Sequence, residues 1–256
     1  VSERLVPLMA LLYLGGGALV LLARAGELPR VFSLIFSCAL NPEAALGGGS
    51  GYALSAALRH GVARGVFTNE AGLGTSAMAH GAAQVDHPAR QGMWGIFEVF
   101  VSTLLVCTVT ALVILVSGVY IPEEALRQLQ SGRIPDTSLG VPLTARAFAA
   151  VLGPIGGWVV TLSLILFAFS SILGWSYYGQ QSLRFLTGGD RFLPLYRVLF
   201  LAGIVAGAVS DTSSLWLLVD LCNACMALPN LAALLLLFPQ AVPLLRVWSD
   251  RRRHRL

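Results

Sequence analysis

Residues 61–92, GVARGVFTNEAGLGTSAMAHGAAQVDHPARQG, decide how this chain is read. They set Arg64, Asn69, Glu70 and His80, together with Gly65, Gly72 and Gly74, into a chain that is otherwise overwhelmingly apolar. A charged group at bilayer depth costs from about 2.5 to more than 10 kcal/mol, so Glu70 requires a partner, a water-filled cavity or a role. The glycines let a helix open, and main-chain N–H and C=O groups freed in this way are tolerated only where they line a cavity or are buried in protein. On one side Tyr52–Val66 is a short apolar segment interrupted by Arg59 and Arg64, and on the other Thr75–Ala83 is short and rich in small residues. Two half-length helices around a glycine-containing break, near 52–83, form a discontinuous transmembrane helix, the sequence feature that best points to a transporter's binding site. The competing reading of the same stretch is a loop rich in small residues.

Outward from that stretch, composition sets the class. The chain has 256 residues, 56% of them hydrophobic and only 12% charged, with a mean hydropathy of +0.75. Its surface must therefore face lipid or other apolar helices, and the expectation is an all-α polytopic membrane protein. Every basic residue is arginine. The ending RVWSDRRRHRL follows a hydrophobic span directly, and the positive-inside rule places such a tail in the cytoplasm. No folded soluble domain accompanies it, so a nucleic-acid partner is not expected. The cysteines Cys38, Cys107, Cys222 and Cys225 all fall in apolar runs. No histidine lies near the CxxC of Cys222 and Cys225, so they read as packed thiols and not as a metal site.

Six spans are expected when the broken helix counts as one. The first runs from Arg4 to Ala23, about the twenty residues a crossing helix needs. Val31–Leu40 is too short to span and suits a surface or re-entrant helix. Met93–Gly118 is a full span with one acid, Glu98, and with the hydroxyls Ser102, Thr103, Thr108 and Thr110, which in such helices bond mostly to their own main chain or to a neighbouring helix. Residues 119–153 read as an external loop carrying a surface helix around ARAFAAVLG. Ile155–Leu186 exceeds one perpendicular span and so tilts or projects. Its polar insertion is Ser170-Ser171, with Trp175 at i+4 from Ser171 and hence on the same face. Leu195–Ser210 and Leu215–Phe238 complete the set, the latter holding Asp220, Asn223, Pro229 and Asn230, and 239–256 is the basic cytoplasmic tail. The whole of 1–256 is one transmembrane domain. The chain starts with Val and shows no signal peptide, so it is expected to begin partway through a longer protein or at an unusual start.

RGVFTNEAGLGTSAMAHGAA, with HPARQG close behind, resembles the signature of the alanine or glycine:cation symporter family, in which a run of the type RGxFSNEAGxGSAPxAHAAA is followed by HPxxQG. VCTVTALVILVSG, FAFSSILGWSYYG and DLCNACMALPNLAALLLL agree in the same order, and LVPLMALLYLGGGALVLL looks like the span preceding the signature. The resemblance implies a LeuT-type fold of two inverted five-helix repeats, of which this chain holds the last helix of the first repeat and all of the second. It implies sodium-coupled, sometimes proton-coupled, uptake of small neutral amino acids such as alanine and glycine through the plasma (inner) membrane, with sodium as coupling ion, membrane lipid as surroundings and no other cofactor. Carried onto matching positions, Phe67, Asn69, Ala71 and Gly72 line the substrate from one side, and Ser171 and Trp175 from the other. Ser170 and Ser171 are the candidate sodium ligands, and Glu70 is either on the ion path or the partner of Arg64.

The chain departs from the pattern at several places. Ser102 stands where the family usually has the acid of FxDT, and Gln180 where it has the acid of YYGE. Thr68, Thr75, Ser76, Ala77 and Gly81 are substitutions within the signature, the first two preserving a hydroxyl. The loss of two acids means either altered ion coupling or lost salt bridges. The alternative of another class is a membrane scaffold subunit, or an inactive remnant, that packs against partners without transporting. An intramembrane enzyme built on Glu70 and His80 needs a second carboxylate or a metal-ligand set, and neither HExxH nor GxSxG is present.

Overall fold

The computed structural model describes residues 2–40, 61, 65, 68, 70, 72–120, 140–210 and 212–253. Every regular element among them is helical. In chain order these are α1 (Ser2–Ala23), a 3-10 turn (Ala25–Glu27), α2 (Leu28–Leu40), α3 (Thr75–Gly81), α4 (Pro88–Val99), a π-helical stretch (Phe100–Val106), α5 (Cys107–Val116), α6 (Gly140–Leu152), α7 (Pro154–Thr187), α8 (Leu193–Val209) and α9 (Thr212–Arg253). Among the described residues, four helical stretches are long and apolar enough to cross a bilayer: Arg4–Ala23, Pro88–Val116, Pro154–Thr187 and Leu215–Trp248. Leu193–Val209 is apolar but shorter. Large apolar side chains such as Leu234, Leu235, Leu236 and Phe238 are exposed along α9, which suits a lipid-facing surface and not a watery one. The chain is an all-helical, multi-pass membrane protein.

It divides into two compact units, Val1–Gly61 with Thr103–Ser171, and Val62–Ser102 with Ile172–Leu256. The first unit is built around an apolar cluster to which α1 gives Tyr13 and Val20, α5 gives Leu112, Val113 and Val116, and α6 gives Ala147 and Phe148. Small residues set how closely these helices approach. A methyl group on Gly16 would lie 2.8 Å from Val159 Cγ1, and one on Gly17 would overlap Val109. Gly156, at the start of α7, leaves no room for a side chain beside the Phe148 carbonyl, so the α6–α7 turn needs glycine there. The helix expected around ARAFAAVLG buries one face in the unit, with Ala147 and Phe148 fully buried, and leaves Arg146 and Ala150 exposed. Its half-amphipathic pattern was compatible with lying on a surface, but the partners of its apolar face come from α1 and α5, far away in sequence.

The second unit contains α3, α4, the end of α7, α8 and α9. α9 does not stop at Phe238, where the sequence suggests a span ends, but continues through Pro229, Pro239 and Pro243 to Arg253. Proline is tolerated in such helices where local adjustments re-satisfy the carbonyl it frees. The cysteine reading is corrected as well, since Cys107, Cys222 and Cys225 are exposed. A thiol behaves as a small apolar group, so a lipid-facing position serves it as well as a packed one.

Candidate functional site

The site is built on the turn that leads into α3. Glu70 has φ 52°, and Gly72 and Gly74 have φ 77° and 84°, the left-handed region that a residue with a side chain enters only at a cost. Leu73 N–H donates to Glu70 O at 3.2 Å, closing the turn, and Thr75 then starts α3. The Thr75 hydroxyl donates to Glu70 Oε2 at 2.6 Å. Thr75 is 2% exposed, so a carboxylate meets a buried donor at the point where the backbone reverses hand. Gly74 is needed for space as well as for its φ: a methyl group there would lie 2.9 Å from Asn230 Oδ1. The side chain of Leu231 lies similarly over Gly72. α9 therefore places the Asn230 amide directly over the turn.

A second polar group lies just downstream. His80, in the last turn of α3, has Nδ1 at 2.8 Å from Gln91 Nε2 and Nε2 at 3.3 Å from Glu98 Oε2, both partners on α4. An amide donating to Nδ1 makes that atom an acceptor, so the ring's proton sits on Nε2, facing the carboxylate. Gly95 gives the ring its seat, since a methyl there would be 3.3 Å from Nε2. α4 begins at Pro88 with His87 as its N-cap, the His87 ring accepting from Ala89 N–H. The Ser182 hydroxyl, on α7, donates to Met78 Sδ on α3 at 3.6 Å.

The hydroxyls read from the sequence divide into several kinds. Ser170 donates to Phe167 O at 3.0 Å and lies 3.7 Å from Met9 Sδ, which leaves its oxygen lone pairs as acceptors. Ser171 is exposed and Trp175 half-buried on the same helix, Trp175 packing edge-on to Tyr178. Thr110 donates to Val106 O at 2.7 Å and also meets Tyr13 OH at 2.6 Å. Val106 ends the π-helical stretch, where the widened turn disturbs the regular i→i−4 ladder and offers a carbonyl to such a side chain. Ser102 Oγ reaches Val99 O at 3.4 Å. Among the described residues, no partner meets the buried Thr103 and Ser163 hydroxyls. Of the acid positions changed from the family pattern, Gln180 keeps a cation: Arg197 Nη2 donates to its Oε1 at 3.2 Å, while its Nε2 donates to Ser176.

Among the expected site residues, Glu70 and Gly72 share one turn, and Ser170, Ser171 and Trp175 share α7. Arg64, Phe67, Asn69 and Ala71 lie outside the described residues. Thr75, Asn230 and the Gln91–His80–Glu98 group were not assigned roles at the site from sequence. The signals were present in a hydroxyl five residues after the acid and in an asparagine following a proline in an apolar span.

The protein resembles known transporters along its length. It is 39% identical over 240 residues to the uncharacterised transporter YflA of Bacillus subtilis (strain 168), covering 93% of this chain and 48% of that protein. It is 38% identical over 251 residues to the sodium/alanine symporter AgcS of Methanococcus maripaludis, covering 98% of this chain and 52% of AgcS. A probable sodium/glutamine symporter, GlnT of Bacillus subtilis, is 33% identical over 252 residues, covering 98% of this chain and 49% of its own length. The chain thus spans about half the length of the curated relatives it matches. Its residues 1–256 match the sodium:alanine symporter family as a whole, and the chain belongs to that family.

Proposed function

We propose that this chain is the carboxy-terminal portion of a symporter that moves a small neutral amino acid, alanine or glycine, across the plasma (inner) membrane together with sodium. The family is one of transporters, not enzymes. The observation that carries the reading is the family match over residues 1–256. The left-handed turn at Glu70–Gly74 supports it, because an opened backbone next to a carboxylate and an amide is what a zwitterion and a cation require.

On this reading the fold is a LeuT-type inverted repeat, with the turn belonging to a broken helix. Phe67, Asn69, Ala71, Gly72, Ser171 and Trp175 contact the amino acid, and Ser170 and Ser171 offer oxygens to sodium. Glu70 serves the ion path, its charge held by Thr75 and offset by the ion. The carboxylate of the substrate is met by freed N–H groups at a half-helix N-terminus or by the ion, and its ammonium by carbonyl or amide oxygens. Trp175 and Phe67 limit side-chain volume, although a single methylene is discriminated by only about 1–3 kcal/mol. The loop 119–153 is external and the basic tail cytoplasmic.

The test is uptake of radiolabelled alanine, glycine and glutamine into proteoliposomes, with and without an inward sodium gradient, using the protein with all the sequence its gene encodes around this chain. Sodium-driven alanine uptake that Glu70→Gln abolishes, at unchanged expression, is the expected result. Absence of uptake by well-folded protein would move the reading to a non-transporting scaffold. Uptake driven by a proton gradient alone would replace sodium as the coupling ion, and a preference for glutamine would replace the substrate.

A further inference from the structure

The first unit contains a cavity of about 250 Å3 where two candidate spans end. α1 ends at Ala23 and α5 at Val116, and the cavity is lined by the residues that follow or complete them, so it stands where the hydrocarbon-crossing stretches give way to the interface. Its polar groups are Arg24, Glu27, Arg30, Ser117 and Tyr120. Three of these have local duties. Glu27 lies 3.6 Å from Arg30, and the Ser117 hydroxyl donates to Ile114 O and accepts from Val119 N–H, building the turn at Gly118. Among the described residues nothing pairs with the Arg24 guanidinium or the Tyr120 hydroxyl.

A cation after the last residue of a helix is explained in part by the negative end of the helix dipole. That accounts for Arg24, and Glu27 holds Arg30 at 3.6 Å, yet two guanidiniums and one carboxylate still leave net positive charge beside the Tyr120 phenol among the described lining residues. The cations outnumber the acid, so the cavity suits an anion. Its remaining wall is apolar, formed by Val31, Leu34 and Val116. The same helix, α2, exposes Phe32, Ile35 and Phe36, an apolar face next to the one that lines the cavity. A free anion has no use for such a face, whereas an anion carrying hydrocarbon does.

We propose that this cavity binds the phosphodiester headgroup of an anionic phospholipid. Arg24 and Arg30 take the phosphate oxygens, which guanidinium matches in geometry. Tyr120 donates a further hydrogen bond, and the acyl chains run along Phe32 and Phe36. The volume falls below the roughly 300–1,000 Å3 of sites that enclose a drug-sized ligand, so the cavity takes the headgroup and leaves the chains outside. Basic pockets between membrane helices hold anionic headgroups on the matrix or cytoplasmic side, and the same chemistry serves a headgroup at the end of the bilayer from which residues 119–153 leave.

The experiment is native mass spectrometry of the full protein released from detergent in the presence of phosphatidylglycerol or phosphatidylcholine. Phosphatidylglycerol should be retained preferentially, and retention should fall about fivefold for each arginine removed in Arg24→Gln and Arg30→Gln. Inorganic phosphate alone is the third arm. Equal retention of both lipids, or unchanged phosphatidylglycerol retention in the double variant, would overturn the proposal. Arginine-dependent binding of phosphate without preferential lipid retention would overturn it in favour of a free anion. Should the double variant lose helical content, Arg24→Gln alone and Tyr120→Phe read the same loss with less disturbance, and retention undiminished in both would refute the assignment.

Discussion

The two units of this protein are held by different physics. In the first, Tyr13, Val20, Val113 and Phe148 pack at distances set by glycine, and the polar contacts are few. In the second, few side chains are fully buried among the described residues, and polar contacts recur: Glu70 with Thr75 at the start of α3, His80 with Gln91 and Glu98 between α3 and α4, Gln180 with Arg197 between α7 and α8. Lipid is as apolar as leucine, so burial alone gives helices no reason to associate in a membrane. What remains is close packing or directional bonding. The first unit relies on packing, which is rigid and indifferent to ions; the second relies on groups that a substrate or cation can compete for.

The largest test of this contrast is Phe148→Ala. Phe148 is fully buried among Tyr13, Gly16 and neighbouring groups, and its loss should cost about 2–3 kcal/mol, somewhat below the ~3–5 kcal/mol of a soluble core because lipid lessens the transfer part. Thermal unfolding in detergent, followed by fluorescence, should show a clear drop in Tm that Phe148→Leu largely restores. A Tm unchanged by the alanine would mean that packing does not hold the first unit.

Next in size is Thr75→Val, which keeps the shape of a buried side chain but removes the donor to Glu70. A hydrogen bond to a charged group is worth about 1.5–3 kcal/mol, and the carboxylate left without it either recruits water or takes a proton. Sodium-driven uptake should fall steeply and Thr75→Ser should recover it. Equal uptake by the valine variant would show that the Glu70–Thr75 bond is incidental to the turn.

How far the sequence reveals these two arrangements differs between them. The span Arg4–Ala23 was legible to within two residues, because an unbroken apolar run of that length has few other uses. The glycines of NEAGLG announced a backbone that a helix cannot keep, and Gly72 and Gly74 do hold positive φ. The role of α6 was hidden, since ARAFAAVLG reads the same whether its apolar face meets lipid or meets Tyr13. The length of α9 was hidden for another reason: prolines ordinarily end helices, and here three do not. The His80–Glu98 pair joins residues eighteen positions apart on separate helices, and no local periodicity encodes such a meeting.

A smaller effect is expected from Gln180→Glu, which restores the acid of the family pattern. The new carboxylate gains an ion pair with Arg197 and loses the amide's donation to Ser176. Such a partly exposed pair is worth about 0–1 kcal/mol. A double-mutant cycle with Arg197→Gln, read from Tm, should give a coupling within that range. A coupling several times larger would place the pair in a far less solvated setting and make Gln180 a substantive departure from the family.

The smallest effect separates polar contacts that matter from those that merely occur. Arg90 Nη1, in the first turn of α4, donates at 3.1 Å to Oδ1 of Asp86 in the exposed connection before that helix. That bond, with help from main-chain N–H groups of the turn and the Arg90 charge, holds the Asp86 carboxyl below its ordinary range. A depressed folded-state value means that the pair's stabilising contribution is present above the ordinary carboxylate pKa and disappears as pH falls through the lower, folded one. Arg90→Gln should therefore raise the Asp86 titration toward its ordinary value, seen by carboxyl carbon NMR, with Tm at neutral pH unmoved because solvent screens both partners. If the titration stays depressed, the main-chain donors of the turn hold it and Arg90 is a bystander. If Tm falls with it, even exposed polar contacts carry the second unit, and the division between a packed unit and a bonded one is sharper than Glu70 and Thr75 alone require.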